Sequence, residues 1–197
     1  NKQITIGILG GIGPEATGNF YLRLIAELQK SKLIKSNIDY PRMVINSIPA
    51  PELTKEKITP KDLKPYIVGL KQLEKYDVDF IVMACNTIHL YYELLQSKIS
   101  TPILNLREAV GETLTENNTK TVSVFGTPAT ISKGLYRFKD IKYHNPEKQD
   151  LKKLSEAIEA FNQDSNTAGQ ISEVNKLANK YQRRGSEIII LACTEIS

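Results

Sequence analysis

The chain has 197 residues, 41% of them hydrophobic, with two cysteines and a formal net charge of +4. That length supports one sizeable core or two of about 100 residues each, and two cysteines exclude a disulfide framework. Lys and Arg are scattered among acids in stretches such as KDLKPY and EKQDLKK, which excludes an aromatic-basic nucleic-acid stripe; no apolar run nears the roughly 20 residues of a membrane span. A soluble, reducing, cytoplasmic setting without a secretory leader is therefore expected. The chain begins at Asn1 without Met and stops at Ser197 directly after a motif, so a further C-terminal segment is also expected.

Gln3–Leu9 (QITIGIL) reads as a short strand ending in Gly10, and from Pro14 onward Phe20, Leu24 and Leu28 recur at helical spacing. Met43–Ile45 reads as a second strand, followed by a loop held open by Pro49, Pro51 and Pro60. A helix with Ile67, Leu70 and Leu73 on one face leads to Asp77–Ala84, which reads as a fully buried strand. Ile88–Gln96 reads as a helix with His89 and Glu93 on its flank, and a further helix carries Leu106, Val110 and Leu114.

The second half repeats this programme. Thr121–Phe125 reads as a strand ending in Gly126, then a small-residue loop and a helix around Tyr136. Two amphipathic helices follow, one with Leu151, Leu154, Ile158 and Phe161, the other with Ile171, Val174, Leu177 and Tyr181 and a stop at Gly185; Glu187–Leu191 is the closing strand. The offset from Gly10 to Gly126 agrees, within the variation of a loop, with that from Cys85 to Cys193. Alternating strands and helices imply parallel sheets covered on both faces. The expected fold is α/β, with two similar doubly wound domains, residues 1–100 and 101–197, and a site in the cleft between them.

Both cysteines stand in the same context, FIVMACNTIH at residues 80–89 and IIILACTEIS at residues 188–197. Ligands of open parallel sheets bind outside the carboxyl ends of the strands, where Cys85 and Cys193 both fall. Facing halves would set one sulfur on each side of a bound molecule. A base on one face of a carbon and an acid on the other is the arrangement for racemisation or epimerisation. A free thiol has a pKa of about 8.5, so one sulfur needs activation, which backbone N–H groups at a helix start can supply. Asn86-Thr87-Ile88 and Thr194-Glu195-Ile196 follow the cysteines where such helices would open, and their backbone N–H groups and hydroxyls could hold an α-carboxylate.

The plainer reading of each cysteine alone is a small core residue at a strand end. No CxxC spacing exists, so no metal is expected; His89 reads as a helix-surface residue and His144 as a solvated loop residue. Gly11-Ile12-Gly13-Pro14-Glu15-Ala16 matches G-x-G-x-x-A and raises a nicotinamide-binding alternative. The acidic residue expected after the second strand is absent, since Met43-Val44-Ile45 runs into Asn46 and Ser47.

GILGGIGPEAT near the start, MACNTIH in the middle and ACTEIS at the end resemble the aspartate/glutamate racemase family, specifically its cofactor-independent aspartate racemases. The resemblance covers essentially the whole chain. It implies two α/β domains with the active site between them, a homodimer, and interconversion of amino-acid enantiomers without pyridoxal phosphate, metal or nucleotide. The family's catalytic cysteines fall on Cys85 and Cys193. Its substrate contacts fall on Asn86, Thr87, Thr127 and Thr194 and on the Gly10-Gly11 loop, with Asn46 a further candidate. Glutamate racemases of cell-wall synthesis resemble DSG and CTH at positions where this chain has Gly10-Gly11 and Thr194-Glu195. Some aspartate racemases also carry a loop arginine and a second-domain lysine to grip the side-chain carboxylate. Here Leu53 is near the first position and the region around Gln163 shows no lysine, leaving Lys55 or Lys57 as substitutes. The resemblance thus implies a racemase of acidic or small polar amino acids. The alternatives are another isomerase or a decarboxylase on the same scaffold, or a non-catalytic small-ligand-binding protein.

Overall fold

The computed structural model describes residues 3–51, 53, 58–162 and 167–196. In chain order the first half runs Thr5–Gly10 (β1), Pro14–Lys30 (α1), Arg42–Ser47 (β2), Pro60–Glu74 (α2), Phe80–Met83 (β3) and Tyr92–Gln96 (α3). The second runs Leu106–Glu116 (α4), Thr121–Gly126 (β4), Pro128–Ser132 (α5), Lys142–Tyr143 (β5), Lys148–Asn162 (α6), Thr167–Arg183 (α7) and Ile188–Ala192 (β6). The chain divides into two compact units. Ile58–Cys85 and Tyr91–Leu104 belong to the first with the chain up to Pro51; Asn86–Leu90 belongs to the second with the chain from Asn105 on.

In the first unit β1 is buried along its whole length, and its period-2 alternation shows why. Ile6 and Ile8 join Phe20 and Leu24 of α1 in one apolar cluster. Leu9 points to the other face, where the missing side chain of Gly69 in α2 admits both Leu9 and Ile48. Helices therefore cover both faces, and β2 and β3 pair in parallel with the two edges of β1, in the order β2-β1-β3. Local signals set the helix starts. Pro14 opens α1 with Glu15 in its first turn, and Asp62 Oδ2 accepts from the Thr59 backbone N–H at 2.8 Å to cap α2.

The second unit uses the same plan, a parallel sheet in the order β5-β4-β6. Val122 and Val124 pack with Leu114 of α4 and with Leu135 and Tyr136, while Phe125 packs with Leu154 and Ile158 of α6 and Val174, Leu177 and Tyr181 of α7. A polar tie joins the last two helices: buried Asp150 accepts from Lys180 Nζ and from the Tyr181 hydroxyl, each at 2.7 Å. Burial alone would raise the Asp150 pKa, but the hydrogen bonds from Lys180 and Tyr181 outweigh it and hold the carboxyl below its ordinary range.

The repeat in the sequence is thus a repeat in topology. Each central strand ends in glycine beside the Ala-Cys step of the third strand. Gly126 stands opposite Ala192, and a Cβ on it would lie 2.8 Å from the Ala192 carbonyl oxygen. In the first unit the ladder continues past Met83, with the Ala84 N–H donating to Leu9 O at 2.9 Å.

Several expectations need correction. The strand expected over Asp77–Ala84 is confined to Phe80–Met83 and alternates in burial, because Asp77, at φ 52°, still belongs to the turn that closes α2. The helix expected over Ile88–Gln96 begins as a 3-10 turn, Thr87–Tyr91, which buries Thr87, Ile88 and His89; His89 is not a surface residue. The helix expected around Tyr136 lies earlier, since Thr127 and Pro128 start it at α5 and Gly134, at φ 66°, ends it. Two-residue β5 is too short to show in a periodicity. His144 follows it half-buried, with its N–H on Val122 O at 2.9 Å and its Nδ1 3.3 Å from Ser186 Oγ.

Candidate active site

Cys85 and Cys193 each sit just past the carboxyl end of the third strand of their unit, and both are buried. Each is followed by a 3-10 turn, Thr87–Tyr91 or Thr194–Ile196. The sequence placed full helices at these points. The short turns arise because the chain leaves the strand abruptly, as the Cys85 N–H bonding back to Met83 O at 2.8 Å shows.

In the first unit the glycine loop is built around Thr17. Its hydroxyl accepts from the Gly11 N–H at 2.9 Å and donates to Gly13 O at 3.1 Å. A side chain at Gly10 would strike Thr17, and one at Gly11 would strike the Ile48 backbone, so both glycines are demanded by close approach. The Gly11 amide is used inside the loop, unlike the phosphate-facing amides of a dinucleotide fingerprint. Asn46 Nδ2 donates to Gly69 O at 3.0 Å and to Gln72 Oε1 at 2.9 Å, tying β2 to α2.

In the second unit Asn86, Thr87 and Thr127 come together. Thr87 Oγ1 lies 3.2 Å from Thr127 Oγ1 and 3.0 Å from Thr130 Oγ1, and Thr127 Oγ1 donates to Thr130 Oγ1 at 3.0 Å. Thr127 also caps α5, accepting from the Thr130 N–H at 3.2 Å. The buried Tyr136 hydroxyl donates to Asn86 Oδ1, which fixes the orientation of the amide and leaves its NH₂ to other acceptors. Cys193 shares the apolar cluster of Phe125, Leu154 and Ile158, and its thiol donates to Glu195 Oε2 at 2.7 Å. Thr194 Oγ1 donates to the same oxygen at 3.1 Å.

Thr130, Tyr136 and Glu195 bond to the candidate residues Thr87, Asn86 and Cys193, pairings that the motif reading did not give. The T-P-A-T spacing after Gly126 is a capping pattern that could have flagged Thr130; nothing in the sequence links Tyr136 to Asn86. Leu53, near the position of the expected arginine, is buried. Lys55, Lys57 and Gln163 lie outside the described residues. Among the described residues no group of three or more His, Cys, Asp or Glu is placed to hold a metal ion, and no helix is long and apolar enough to cross a membrane.

Solved structures that share this two-domain α/β fold include an aspartate racemase and an aspartate racemase homologue. Picrophilus torridus aspartate racemase superposes with a TM-score of 0.77 at 24% identity, over 98% of this chain and 82% of its own. An aspartate racemase homologue from Pyrococcus horikoshii gives 0.75 at 26% identity, over 98% and 86%. The broad specificity amino-acid racemase RacX of Bacillus subtilis is 34% identical over 202 residues, covering 98% of this chain and 86% of the relative. The chain belongs to the Asp/Glu/Hydantoin racemase family, which it matches over residues 9–197. It is an isomerase of that family.

Proposed function

We propose that the protein racemises acidic or small polar amino acids by a two-base mechanism. One of Cys85 and Cys193 removes the Cα proton as a thiolate, and the other delivers a proton to the opposite face as a thiol. The two exchange roles according to the enantiomer bound. The observation behind this reading is the repetition itself: in each unit a buried Ala-Cys step ends the third strand beside the glycine of the central one and opens a polar turn. Two ionised thiols on one substrate would repel, so the mixed thiol/thiolate state that the reaction needs is also the favoured one.

Asn86, held by Tyr136, is suited to the α-carboxylate; the Thr87, Thr127 and Thr194 hydroxyls, bonded to Thr130 and Glu195 without substrate, would turn their protons to it on binding, where hydrogen-bond donors also stabilise charge that develops as Cα is deprotonated. Gly10 and Gly11, packed against Thr17 and Ile48, shape the loop that would border the substrate. Asn46 acts from behind, through the β2–α2 tie. Breadth beyond aspartate is supported by the buried apolar Leu53 and by the 34%-identical relative named for broad specificity. The same reading includes a division at residues 1–100 and 101–197, with one catalytic cysteine in each half, and a homodimer in the cytoplasm; sedimentation of the purified chain tests the dimer.

Single cysteine variants test the mechanism. Losing a positioned acid or base costs about 10²–10⁴-fold, so Cys85→Ala and Cys193→Ala should each abolish racemisation while one of the two still exchanges a Cα proton on a single face. Full racemisation by either variant would contradict two-thiol chemistry.

A further inference from the structure

Glu195 stands two residues beyond Cys193, and its Oε2 accepts from both the Cys193 thiol at 2.7 Å and the Thr194 hydroxyl at 3.1 Å. The side chain is half-buried and also lines a cavity of about 400 Å³, together with Phe161, Ile171, Val174 and Leu191. Glu195 therefore both contacts the Cys193 sulfur and borders the cavity. Cys193 also belongs to the apolar cluster that includes Phe125 of β4, Leu154 and Ile158 of α6 and Val174 of α7. Tyr181 is a titratable member of that cluster, and its hydroxyl is committed to Asp150 and, through it, to Lys180.

We propose that Glu195 is a positioning residue for racemisation, keeping the proton on Cys193 Sγ in the resting enzyme and restoring it from solvent after turnover. The proposal rests on the two-thiol reading above. A negative charge beside the sulfur and a hydrogen bond accepted from the neutral thiol both oppose the thiolate. The resting pair is then Cys193 thiol with Cys85 as the base. The enantiomer whose Cα–H faces Cys85 loses that proton to Cys85 Sγ, and Cys193 gives its own to the opposite face of Cα. Cys85 is left protonated and Cys193 anionic next to the carboxylate. Glu195 takes a proton from solvent through the cavity and passes it to Cys193 Sγ, while Cys85 releases its proton to solvent; the resting pair returns with no net change in protons. The two enantiomers are equal in energy, so kcat/KM stays equal in the two directions. The role of Glu195 shows in the protonation of the sulfur and in the pH profile, not in a ratio of rates.

The test uses Cys85→Ala, which leaves Cys193 as the single thiol of the chain. Its thiolate is followed by ultraviolet difference absorbance against pH, with and without Glu195→Gln. Removing the charge should lower the midpoint by about 1–3 pH units. In the two-cysteine protein the same substitution should lower the upper limb of the kcat/KM profile, with KM little changed. If Glu195→Gln does not fold, Glu195→Asp, which draws the carboxylate back by one methylene, should move the midpoint in the same direction by less. An unchanged or raised midpoint in a folded variant overturns the proposal. The titration needs no turnover, so it fails independently of the two-thiol reading, which stands or falls on the single-cysteine activities.

Discussion

Alanine at Gly11 and alanine at Gly18 are the same chemical change, seven residues apart, with opposite expected outcomes. Gly11 has φ 90°, and a Cβ there would lie 2.2 Å from the Ile48 carbonyl oxygen and 2.6 Å from its nitrogen. Neither atom belongs to a side chain that can swing away, and Ile48 is itself held by its N–H on Gly10 O at 3.0 Å. A left-handed conformation costs a residue with a Cβ about 1–2 kcal/mol, and overpacking adds about 1–3, so Gly11→Ala should lose about 2–5 kcal/mol. Gly18 is exposed within α1 with nothing inside 4 Å of a new Cβ. Alanine there should gain about 0.5–1 kcal/mol from the lower backbone entropy of the unfolded chain. Urea unfolding followed by far-ultraviolet circular dichroism reads both values. Racemase activity should fall with the displaced loop in Gly11→Ala and stay at the starting level in Gly18→Ala. A Gly11→Ala protein within about 0.5 kcal/mol of the parent, or a destabilised Gly18→Ala, would refute the close-approach argument.

Tyr136→Phe removes the donor that orients Asn86; stability should fall by about 1–3 kcal/mol and KM should rise, whereas an unchanged KM would mean that the amide does not face substrate. Thr87→Val replaces a buried hydroxyl bonded to both Thr127 and Thr130, and denaturant unfolding should report a loss of about 1–2 kcal/mol. Asp150 has its pKa held below 3.8 by Lys180 and Tyr181 against the opposing effect of burial. A carboxyl with a depressed folded pKa contributes stability that is present above its unfolded pKa and lost as pH falls through the folded one. Asp150→Asn should therefore flatten the fall in unfolding free energy as pH drops through and below 3.8, measured by urea titration at several pH values; an unchanged slope would contradict the assignment.

Much of the architecture was legible because its signals are local. Pro14, the Ile67, Leu70 and Leu73 face of α2, and the apolar spacing in α6 and α7 mark helices that the structure contains. The doubled Gly and Cys positions indicated two similar α/β halves, and the paired sheets have that topology. What was missed depends on tertiary placement. A left-handed Asp77 shortens β3, a 3-10 turn turns His89 inward, and a strand of two residues has no period to detect. At the site, spacing identified the cysteines and the residues after them as candidates but not their partners. Tyr136 lies 50 positions from Asn86, and Glu195 looked like one member of a polar trio until its carboxylate was seen on the Cys193 sulfur.

Deuterium incorporation at Cα, followed by NMR in D₂O with reduced protein and a panel of L- and D-amino acids, tests the central claim most directly. The account predicts exchange for acidic or small polar amino acids, starting from either enantiomer and accompanied by loss of optical purity, without added cofactor. No exchange across the panel from folded, reduced protein would contradict it and turn attention to hydantoins or other substrates outside the amino acids.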